Sequence, residues 1–311
     1  MRLAAVHLKG GNRGMDRPSV RKATRHAFLL GENISHSLSP AIHNPAYVAL
    51  GLDYEFGLLD VPPARLQEAL ARMRQPDCLG GNITMPYKRD VLAAADECSE
   101  TVRRCEAASL MINRNGRFVL HNNDVEAIAT CLSRRAATVA KGPAVIIGAG
   151  GSAAAMLEAL RRVPPTRVVV LARRPEAAKA LVERARGWLH VPIEAGHLAE
   201  GGRAMAEAAV IFNATSLGVH AGDPSPVPRE VLRPGLLVYD IVYQREGLNT
   251  LQSEALAAGA LVCDGMAHIF EQAPFSFQML TDREAPRELM LESLVAATGR
   301  RPLDWGSDTG A

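Results

Sequence analysis

One apolar segment that runs into a glycine turn limits the folds open to this chain more than any other feature. Residues 144–153 read AVIIGAGGSA, and a helix is predicted to continue from this turn to Arg162. Gly148, Gly150 and Ala153 match the G-x-G-x-x-A pattern in the strand, turn and helix context that dinucleotide binding requires. The glycines allow the turn and the close approach of a pyrophosphate, and the small third residue allows close packing. The segment therefore predicts a dinucleotide-binding domain, although a glycine turn that merely joins strand to helix has the same letters.

The next predicted strand ends in arginines where an acid is common. The strand predicted at residues 167–171 (RVVVL) is followed by Ala172, Arg173 and Arg174. NAD enzymes usually have Asp or Glu at this position to bind the ribose hydroxyls, whereas arginine accommodates the 2′-phosphate of NADP. Arginines after a strand are also ordinary surface residues. The pattern favours NADP over NAD.

Strands alternate with helices before the glycine turn as well as after it. This alternation predicts an α/β protein with parallel strands. Asn115-Gly116 is a strong signal for a β-hairpin, and the residues at 133–143 interrupt the pattern as a domain boundary would. The first half is predicted to contain strands at residues 26–31, 54–59 and 78–81, helices at 40–50, 64–73 and 99–105, and a hairpin formed by 108–113 and 117–121.

Composition excludes several classes of function. A chain of 311 residues with 48% hydrophobic residues can bury a large core and most simply forms two domains. Its formal charge of +2, from 35 basic and 33 acidic residues, gives no case for a nucleic-acid or anionic-membrane partner. Its five cysteines include no C-x-x-C pair, which argues against a disulfide framework and against a zinc or other metal site. With no apolar run near the ~20 residues that span a bilayer, we expect a soluble cytoplasmic protein with a small-molecule partner.

Two serines precede a predicted helix. Ser39 is followed by Pro40, which suits the first helical position, so Ser39 is predicted to cap the helix. Unpaired N–H groups and the helix dipole at such a terminus favour an anion, and the hydroxyls of Ser37 and Ser39 add donors. The simpler alternative is that Ser39 only caps its helix.

A lysine and a threonine follow the third predicted strand. Residues 82–88 read NITMPYK, and Pro86 suits the opening turn of a helix. Thr84 and Lys88 are four residues apart, so they would face the same way on a helical turn and converge on one ligand. A lone lysine in this position is more often a solvated surface residue.

Seven segments together resemble the shikimate dehydrogenase family in kind, order and spacing. The resemblance covers nearly everything from residue 26 to about residue 280 and implies an N-terminal substrate domain, a C-terminal Rossmann domain, and a last helical segment that returns to the substrate domain. The segments are 31–44 (GENISHSLSPAIHN), 82–88 (NITMPYK), 122–124 (NND), 148–152 (GAGGS), 213–218 (NATSLG), 240–243 (DIVY) and 265–272 (GMAHIFEQ).

The resemblance implies an NADP-dependent enzyme that reversibly reduces 3-dehydroshikimate to shikimate, in aromatic amino-acid biosynthesis. A quinate or amino-shikimate dehydrogenase of the same family, or a non-catalytic protein that senses NADP or another ligand, are the alternatives. We expect a monomer or homodimer. The predicted divisions are a flexible extension at residues 1–25, a substrate-binding catalytic domain at 26–126 plus 268–311, and the Rossmann domain at 127–267.

The resemblance also implies roles for single residues. Lys88 and Asp124 would form the catalytic pair, although a lone Asp124 before residues 125–132 would be read as a helix cap. The implied substrate-binding residues are Ser37, Ser39, Thr84, Ser109, Tyr243 and Gln272. The implied cofactor-binding residues are Gly148, Ala149, Gly150, Gly151, Ser152, Arg173, Arg174, Thr215 and Gly265.

The chain departs from the family pattern beside the hairpin. Ser109 stands where an asparagine that would hold a substrate hydroxyl is usual, and Leu110 replaces its polar neighbour. One lost hydrogen bond in a buried site costs ~1 to 3 kcal/mol, which is enough to change substrate preference. Asn123 replaces a threonine, Ala127 a glycine and Ala172 an asparagine.

Overall fold

The chain folds around two six-stranded sheets. The computed structural model describes residues 25–304, so residues 1–24 of the predicted extension and the end of the C-terminal tail lie outside the described residues, and Arg25 already belongs to the first strand. The strands are β1 (Arg25–Gly31), β2 (Tyr54–Asp60), β3 (Cys78–Ile83), β4 (Glu97–Cys98), β5 (Leu110–Arg114), β6 (Arg117–His121), β7 (Ala144–Ile147), β8 (Val168–Ala172), β9 (Ile193–His197), β10 (Val210–Asn213), β11 (Leu237–Asp240) and β12 (Leu261–Cys263). The helices are α1 (Ser39–Ala49), α2 (Leu66–Met73), α3 (Glu100–Cys105), α4 (Asn123–Ser133), α5 (Ala136–Val139), α6 (Gly151–Leu160), α7 (Pro175–Arg186), α8 (Gly202–Glu207), α9 (Thr250–Ala257), α10 (Gly265–Thr281) and α11 (Arg287–Thr298).

The first sheet is mixed, with parallel pairs in the majority, as predicted. Its order is β2-β1-β3-β5-β6-β4; β1 pairs in parallel with β2 and β3, and β4 with β6, whereas β5 is antiparallel to both β3 and β6. The β5–β6 hairpin is confirmed. Asn115 and Gly116 have φ values of 55° and 83°, as the primed hairpin turns require.

The second sheet is wholly parallel and doubly wound. Its order is β12-β11-β10-β7-β8-β9, which is that of two βαβαβ halves joined at β7 and β10. The chain order reverses between these two neighbouring strands, and open α/β sheets bind ligands outside the carboxyl ends of strands at such a point. Gly148 follows β7 and Thr215 follows β10, so both lie at the predicted binding edge.

Helix α10 connects the two sheets. It starts directly after β12, where the Asp264 carboxylate accepts a hydrogen bond from Ala267 N–H at 2.9 Å. Farther along, Ile269 and Phe277 pack in the same core as Leu29 of β1. The chain end then returns, because Asp264 N–H donates to the Leu303 carbonyl at 2.9 Å. The domain boundaries predicted at 126/127 and 267/268 stay a prediction.

Three residues far apart in the sequence meet near this return. The donor atoms of Cys131, Cys263 and Asp304 lie within 4.8 Å of one another, a grouping that their spacing did not predict. The Arg134 guanidinium pairs with Asp304, and this positive charge opposes a cation there. All five cysteines are free. Among residues 25–304, no helix is both long and apolar enough to cross a membrane.

Gly80 in β3 is expected to tolerate no side chain. Its φ is +110°, and a Cβ there would lie 2.1 Å from the Met111 carbonyl oxygen and 2.9 Å from Ile112 Cα. We expect Gly80→Ala to lower the free energy of unfolding by about 3 kcal/mol or more, because backbone strain and a backbone clash add. Urea unfolding measures this. Gly202→Ala, where a Cβ would meet nothing within 4 Å, is the matched control, and equal stability of the two variants would contradict the prediction.

Candidate active site

A cleft lies between the carboxyl ends of the two sheets. Its wall brings together ten of the predicted site residues from both halves of the chain. They are Ser37, Ser39, Thr84, Lys88, Asp124, Ser152, Thr215, Tyr243, Gly265 and Gln272. The wall as described does not include the other seven, which are Ser109, Gly148, Ala149, Gly150, Gly151, Arg173 and Arg174.

Lys88 and Asp124 form a buried ion pair at the cleft. Lys88 Nζ donates to Asp124 Oδ2, and the side chains are only 12% and 1% exposed. Burial alone would raise the pKa of the Asp124 carboxyl, but the Lys88 ammonium and the adjacent His268 hold that pKa well below its usual range. The prediction of Asp124 as a helix cap is wrong: Asn122 occupies the N-cap position of α4, so the Asp124 side chain is free to reach Lys88.

The segment that carries Lys88 is a turn. Tyr87 N–H bonds to the Thr84 carbonyl at 3.0 Å across a cis Met85–Pro86 peptide, and 3₁₀ geometry begins only at Asp90. The predicted helix starting at Pro86 is therefore wrong. Lys88 is fixed instead by its carbonyl, which accepts from Ala108 N–H at 2.7 Å. Thr84 and Lys88 still face one cleft, but through a turn and not through a helical face.

The glycine turn touches the lysine directly. A Cβ placed on Gly151 would lie 3.4 Å from Lys88 Cβ and 3.2 Å from Ala107 Cβ. The first turn of α6 therefore packs against the aliphatic stem of Lys88. This contact brings the predicted cofactor site next to the predicted catalytic pair.

The two serines and a tyrosine form a polar corner opposite Lys88. Ser39 N–H donates to Ser37 Oγ at 3.2 Å, and Leu38 N–H donates to the Tyr243 hydroxyl at 3.4 Å. The predicted N-cap is wrong by one residue, since Leu38 occupies that position and Ser39 begins α1. The hydroxyls of Ser37, Ser39 and Tyr243 consequently line the cleft near one helix terminus, which suits an anion.

Two residues of α10 approach the second oxygen of Asp124. Gln272 Nε2 donates to Asp124 Oδ1 at 2.6 Å, and His268 Nε2 lies 3.4 Å from the same oxygen. Sequence reasoning missed His268. The signal that identifies it is its spacing: it lies four residues before Gln272, and residues at this spacing share one side of a helix.

Ser109 lies behind the wall of the cleft. It is fully buried; its Oγ accepts from Asp124 N–H at 3.1 Å and lies 2.5 Å from Asn123 Oδ1, to which it donates. The hydroxyl is thus occupied in holding the start of α4, and substrate binding by Ser109 stays a prediction.

The glycine turn has room for a dinucleotide. Gly148 has φ +116°, and a Cβ there would lie 2.9 Å from the Ala214 carbonyl oxygen, whereas a Cβ on Gly150 would meet nothing within 4 Å. Gly150 occupies the N-cap position of α6, so its open side faces the helix terminus where N–H groups are unpaired. A pyrophosphate fits such a site. Arg173 and Arg174 are exposed at the end of β8, outside the cleft.

The buried carboxylate of Asp240 joins the two loops that follow β10 and β11. Asp240 accepts from the side-chain amides of Asn213, Asn249 and Gln252 at 2.7 to 2.9 Å, and from Val242 N–H at 3.1 Å. Burial raises the pKa of Asp240 to about 6, with these donors acting in the opposite direction. The sequence showed only two loops here, and the structure joins them through one side chain.

The second sheet is doubly wound, as in dinucleotide-binding folds, and it faces the first sheet across a cleft that holds a buried lysine–carboxylate pair. These features define the class of two-domain Rossmann dehydrogenases. Two family models match: the shikimate dehydrogenase substrate binding domain at residues 29–111, and shikimate / quinate 5-dehydrogenase at residues 131–224. The shikimate dehydrogenase (NADP(+)) of Symbiobacterium thermophilum is 32% identical over 92% of this chain and 99% of its own. The chain belongs to the shikimate dehydrogenase family, as its sequence segments predicted.

Two solved structures show the same architecture. Shikimate 5-dehydrogenase from Thermus thermophilus, in complex with NADP(H) and shikimate, is 30% identical, has a TM-score of 0.75, and matches 88% of this chain and 99% of its own. Quinate dehydrogenase from Corynebacterium glutamicum, in complex with NAD, is 25% identical with a TM-score of 0.78 and the same coverage of both chains. The predicted fold class is confirmed.

The buried Asp124 carboxylate is expected to make the free energy of unfolding fall at acid pH. Its pKa in the folded state lies below the unfolded value of ~3.9, so the unfolded chain binds more protons between the two values and stability rises with pH there. We expect wild type to exceed Asp124→Asn in free energy of unfolding near pH 7, and the difference to shrink as the pH falls below ~4. Urea unfolding across this pH range measures it. A difference that is constant with pH would contradict the assignment.

Proposed function

We propose that this protein is an NADP-dependent shikimate dehydrogenase that reversibly reduces 3-dehydroshikimate to shikimate, a step of aromatic amino-acid biosynthesis. The observation that carries the proposal is the buried Lys88–Asp124 ion pair, which lines the same cleft as Ser37, Ser39 and Tyr243 and packs against the glycine turn at Gly151. Its relatives named shikimate dehydrogenase (NADP(+)) span nearly the whole chain and support it.

The substrate carboxylate would bind at the polar corner of Ser37, Ser39 and Tyr243. Thr84 and Gln272 would then donate to or accept from ring hydroxyls, with Lys88 and Asp124 at the reacting oxygen. This arrangement suits a hydroxylated cyclohexene carboxylate. The hydroxyl donors at one end of the cleft would bind the carboxylate, and the proton-transferring pair at the other end would contact a ring hydroxyl, so each group of the substrate has its own partner.

The lysine would perform the proton transfer. Reduction of the ring ketone builds negative charge on oxygen, which the Lys88 ammonium stabilises and protonates; in the reverse direction the neutral amine removes the alcohol proton. Asp124 orients the ammonium and balances its charge. NADP, when bound, supplies or accepts the hydride.

The cofactor would lie along the carboxyl edge of the second sheet. Gly148, Ala149, Gly150, Gly151 and Ser152 would hold the pyrophosphate at the start of α6. Thr215 and Gly265 would flank the nicotinamide end, since both line the cleft, and Arg173 with Arg174 would pair with the 2′-phosphate.

A quinate or amino-shikimate dehydrogenase is the second candidate. The observation that favours it is Ser109, which stands where the family usually has a hydroxyl-binding asparagine and is buried outside the lining of the cleft. The similar quinate dehydrogenase supports this reading. A non-catalytic sensor is disfavoured, since a sensor does not need the Lys88–Asp124 pair.

We propose a catalytic domain at residues 26–126 and 268–311 with the Rossmann domain at 127–267, acting in the cytoplasm as a monomer or homodimer. The five free cysteines are consistent with a reducing compartment.

Parallel steady-state assays with shikimate and quinate, each with NADP and NAD, test the function. We expect turnover of shikimate with NADP, and Lys88→Ala and Asp124→Ala to lower kcat by ~10²-fold or more with little change in NADP binding. Lys179→Ala, which removes an exposed lysine paired with Glu176, should leave kcat unchanged. Wild-type turnover in Lys88→Ala would overturn the mechanism, a preference for quinate would favour the second candidate, and a preference for NAD would overturn the role of Arg173 and Arg174.

A further inference from the structure

His268 makes contacts that the proposed mechanism does not use. It lies on α10, lines the cleft, and is 7% exposed. One ring nitrogen, Nε2, lies 3.4 Å from Asp124 Oδ1, and the other, Nδ1, lies 2.8 Å from the Tyr239 hydroxyl. The imidazole therefore bridges the carboxylate of the proposed catalytic pair and a phenol of the second sheet.

Tyr239 fixes the orientation of this imidazole. It is fully buried on β11, and its ring meets the His268 ring edge-on at 84° with the centroids 6.2 Å apart. Nε2 lies 3.4 Å from Asp124 Oδ1, and a carboxylate oxygen can only accept, so this contact favours the imidazole proton on Nε2. Nδ1 is then the acceptor that faces the Tyr239 hydroxyl at 2.8 Å. Burial raises the pKa of Tyr239 well above its usual range, so the phenol keeps its proton.

We propose that His268, held by Tyr239, is a positioning residue for Asp124. The role rests on the proposed function, since it matters for catalysis only if Lys88 and Asp124 perform the proton transfer. Its chemical basis is one N–H donor on Asp124 Oδ1, which keeps Oδ2 directed at Lys88. The donor set extends the proposed pair to a chain of four side chains: Tyr239, His268, Asp124 and Lys88.

The neighbouring glutamine does not make this donor redundant. Gln272 also donates to Asp124 Oδ1, at 2.6 Å, and its amide lies 3.3 Å from Asn123 Oδ1 as well. Gln272 is the residue proposed to reach a substrate hydroxyl, so its amide serves substrate and carboxylate together. His268 is in contact with Tyr239 on its other side, and the proposal assigns it no contact with the substrate, so its position on Asp124 need not change when substrate binds.

A set of four variants tests this role: His268→Leu, His268→Gln, Tyr239→Phe, and the double variant His268→Leu with Tyr239→Phe. We expect His268→Leu to lower kcat roughly tenfold, because a hydrogen bond to a charged group is lost, with KM for NADP unchanged. His268→Gln has a similar volume and restores an N–H donor at the Nε2 position, so its kcat should return to within about threefold of wild type.

The double variant separates positioning from packing. Tyr239→Phe should lower kcat about threefold when His268 is present and have a smaller effect in the His268→Leu background, since the contact with the imidazole is then already lost. A residual effect reflects the second contact of the Tyr239 hydroxyl, which is with Cys131. Tyr47→Phe is the matched control: Tyr47 is fully buried in the other core, and its hydroxyl has no hydrogen-bond partner among the described residues. It should leave kcat unchanged.

The outcomes distinguish this role from the proposed function. Equal kcat for His268→Leu and His268→Gln would overturn the positioning role, and so would additive effects of His268→Leu and Tyr239→Phe. The proposed function would still stand in either case, provided that the wild-type protein turns over its substrate. Wild-type protein that turns over neither shikimate nor quinate would overturn the function and the positioning role with it. If His268→Leu does not fold, the comparison of Tyr239→Phe with Tyr47→Phe decides. We then expect a threefold loss of kcat in Tyr239→Phe and no loss in Tyr47→Phe, and an unchanged kcat in Tyr239→Phe would overturn the positioning role.

Discussion

The buried ion pair of Lys88 and Asp124 is the interaction on which the rest of the site depends. Removing two charges from water is costly, and their mutual attraction offsets the cost only when further hydrogen bonds satisfy them. Gln272 donates such a bond to Asp124 Oδ1, and His268 Nε2 lies 3.4 Å from the same oxygen. The first turn of α4 adds a favourable dipole. Three elements distant in sequence must therefore converge for the pair to exist: the turn after β3, the start of α4, and α10.

The topology explains this convergence. The β5–β6 hairpin brings the chain back beside β3, so that α4 begins next to the turn that carries Lys88. Helix α10 starts at the edge of the second sheet and packs in the core of the first, so Gly265 lines the cleft beside the second sheet and Gln272 lines it farther along the helix, beside Asp124. Gly151 lies against the Lys88 stem, so the absence of a side chain there lets the two halves meet.

Much of this could be predicted from the sequence, because its signals are local. The glycine turn, the Asn115-Gly116 hairpin and the alternation of strands and helices depend on neighbouring residues, and the family resemblance named Lys88 and Asp124 before any contact was known. Contacts across the chain were out of reach. The sequence pattern predicts a helix at Pro86 and substrate binding by Ser109, and it does not reveal His268, because each of these depends on which residues face one another in three dimensions. The grouping of Cys131, Cys263 and Asp304 shows the same limit.

A crystal structure of the protein with shikimate would show which end of the cleft holds the carboxylate and which holds the reacting hydroxyl. We expect the carboxylate within hydrogen-bonding distance of Ser37, Ser39 and Tyr243, and Lys88 Nζ within ~3.2 Å of a ring hydroxyl on the side facing the glycine turn. A ring bound with its carboxylate against Lys88, or outside the cleft, would contradict this expectation.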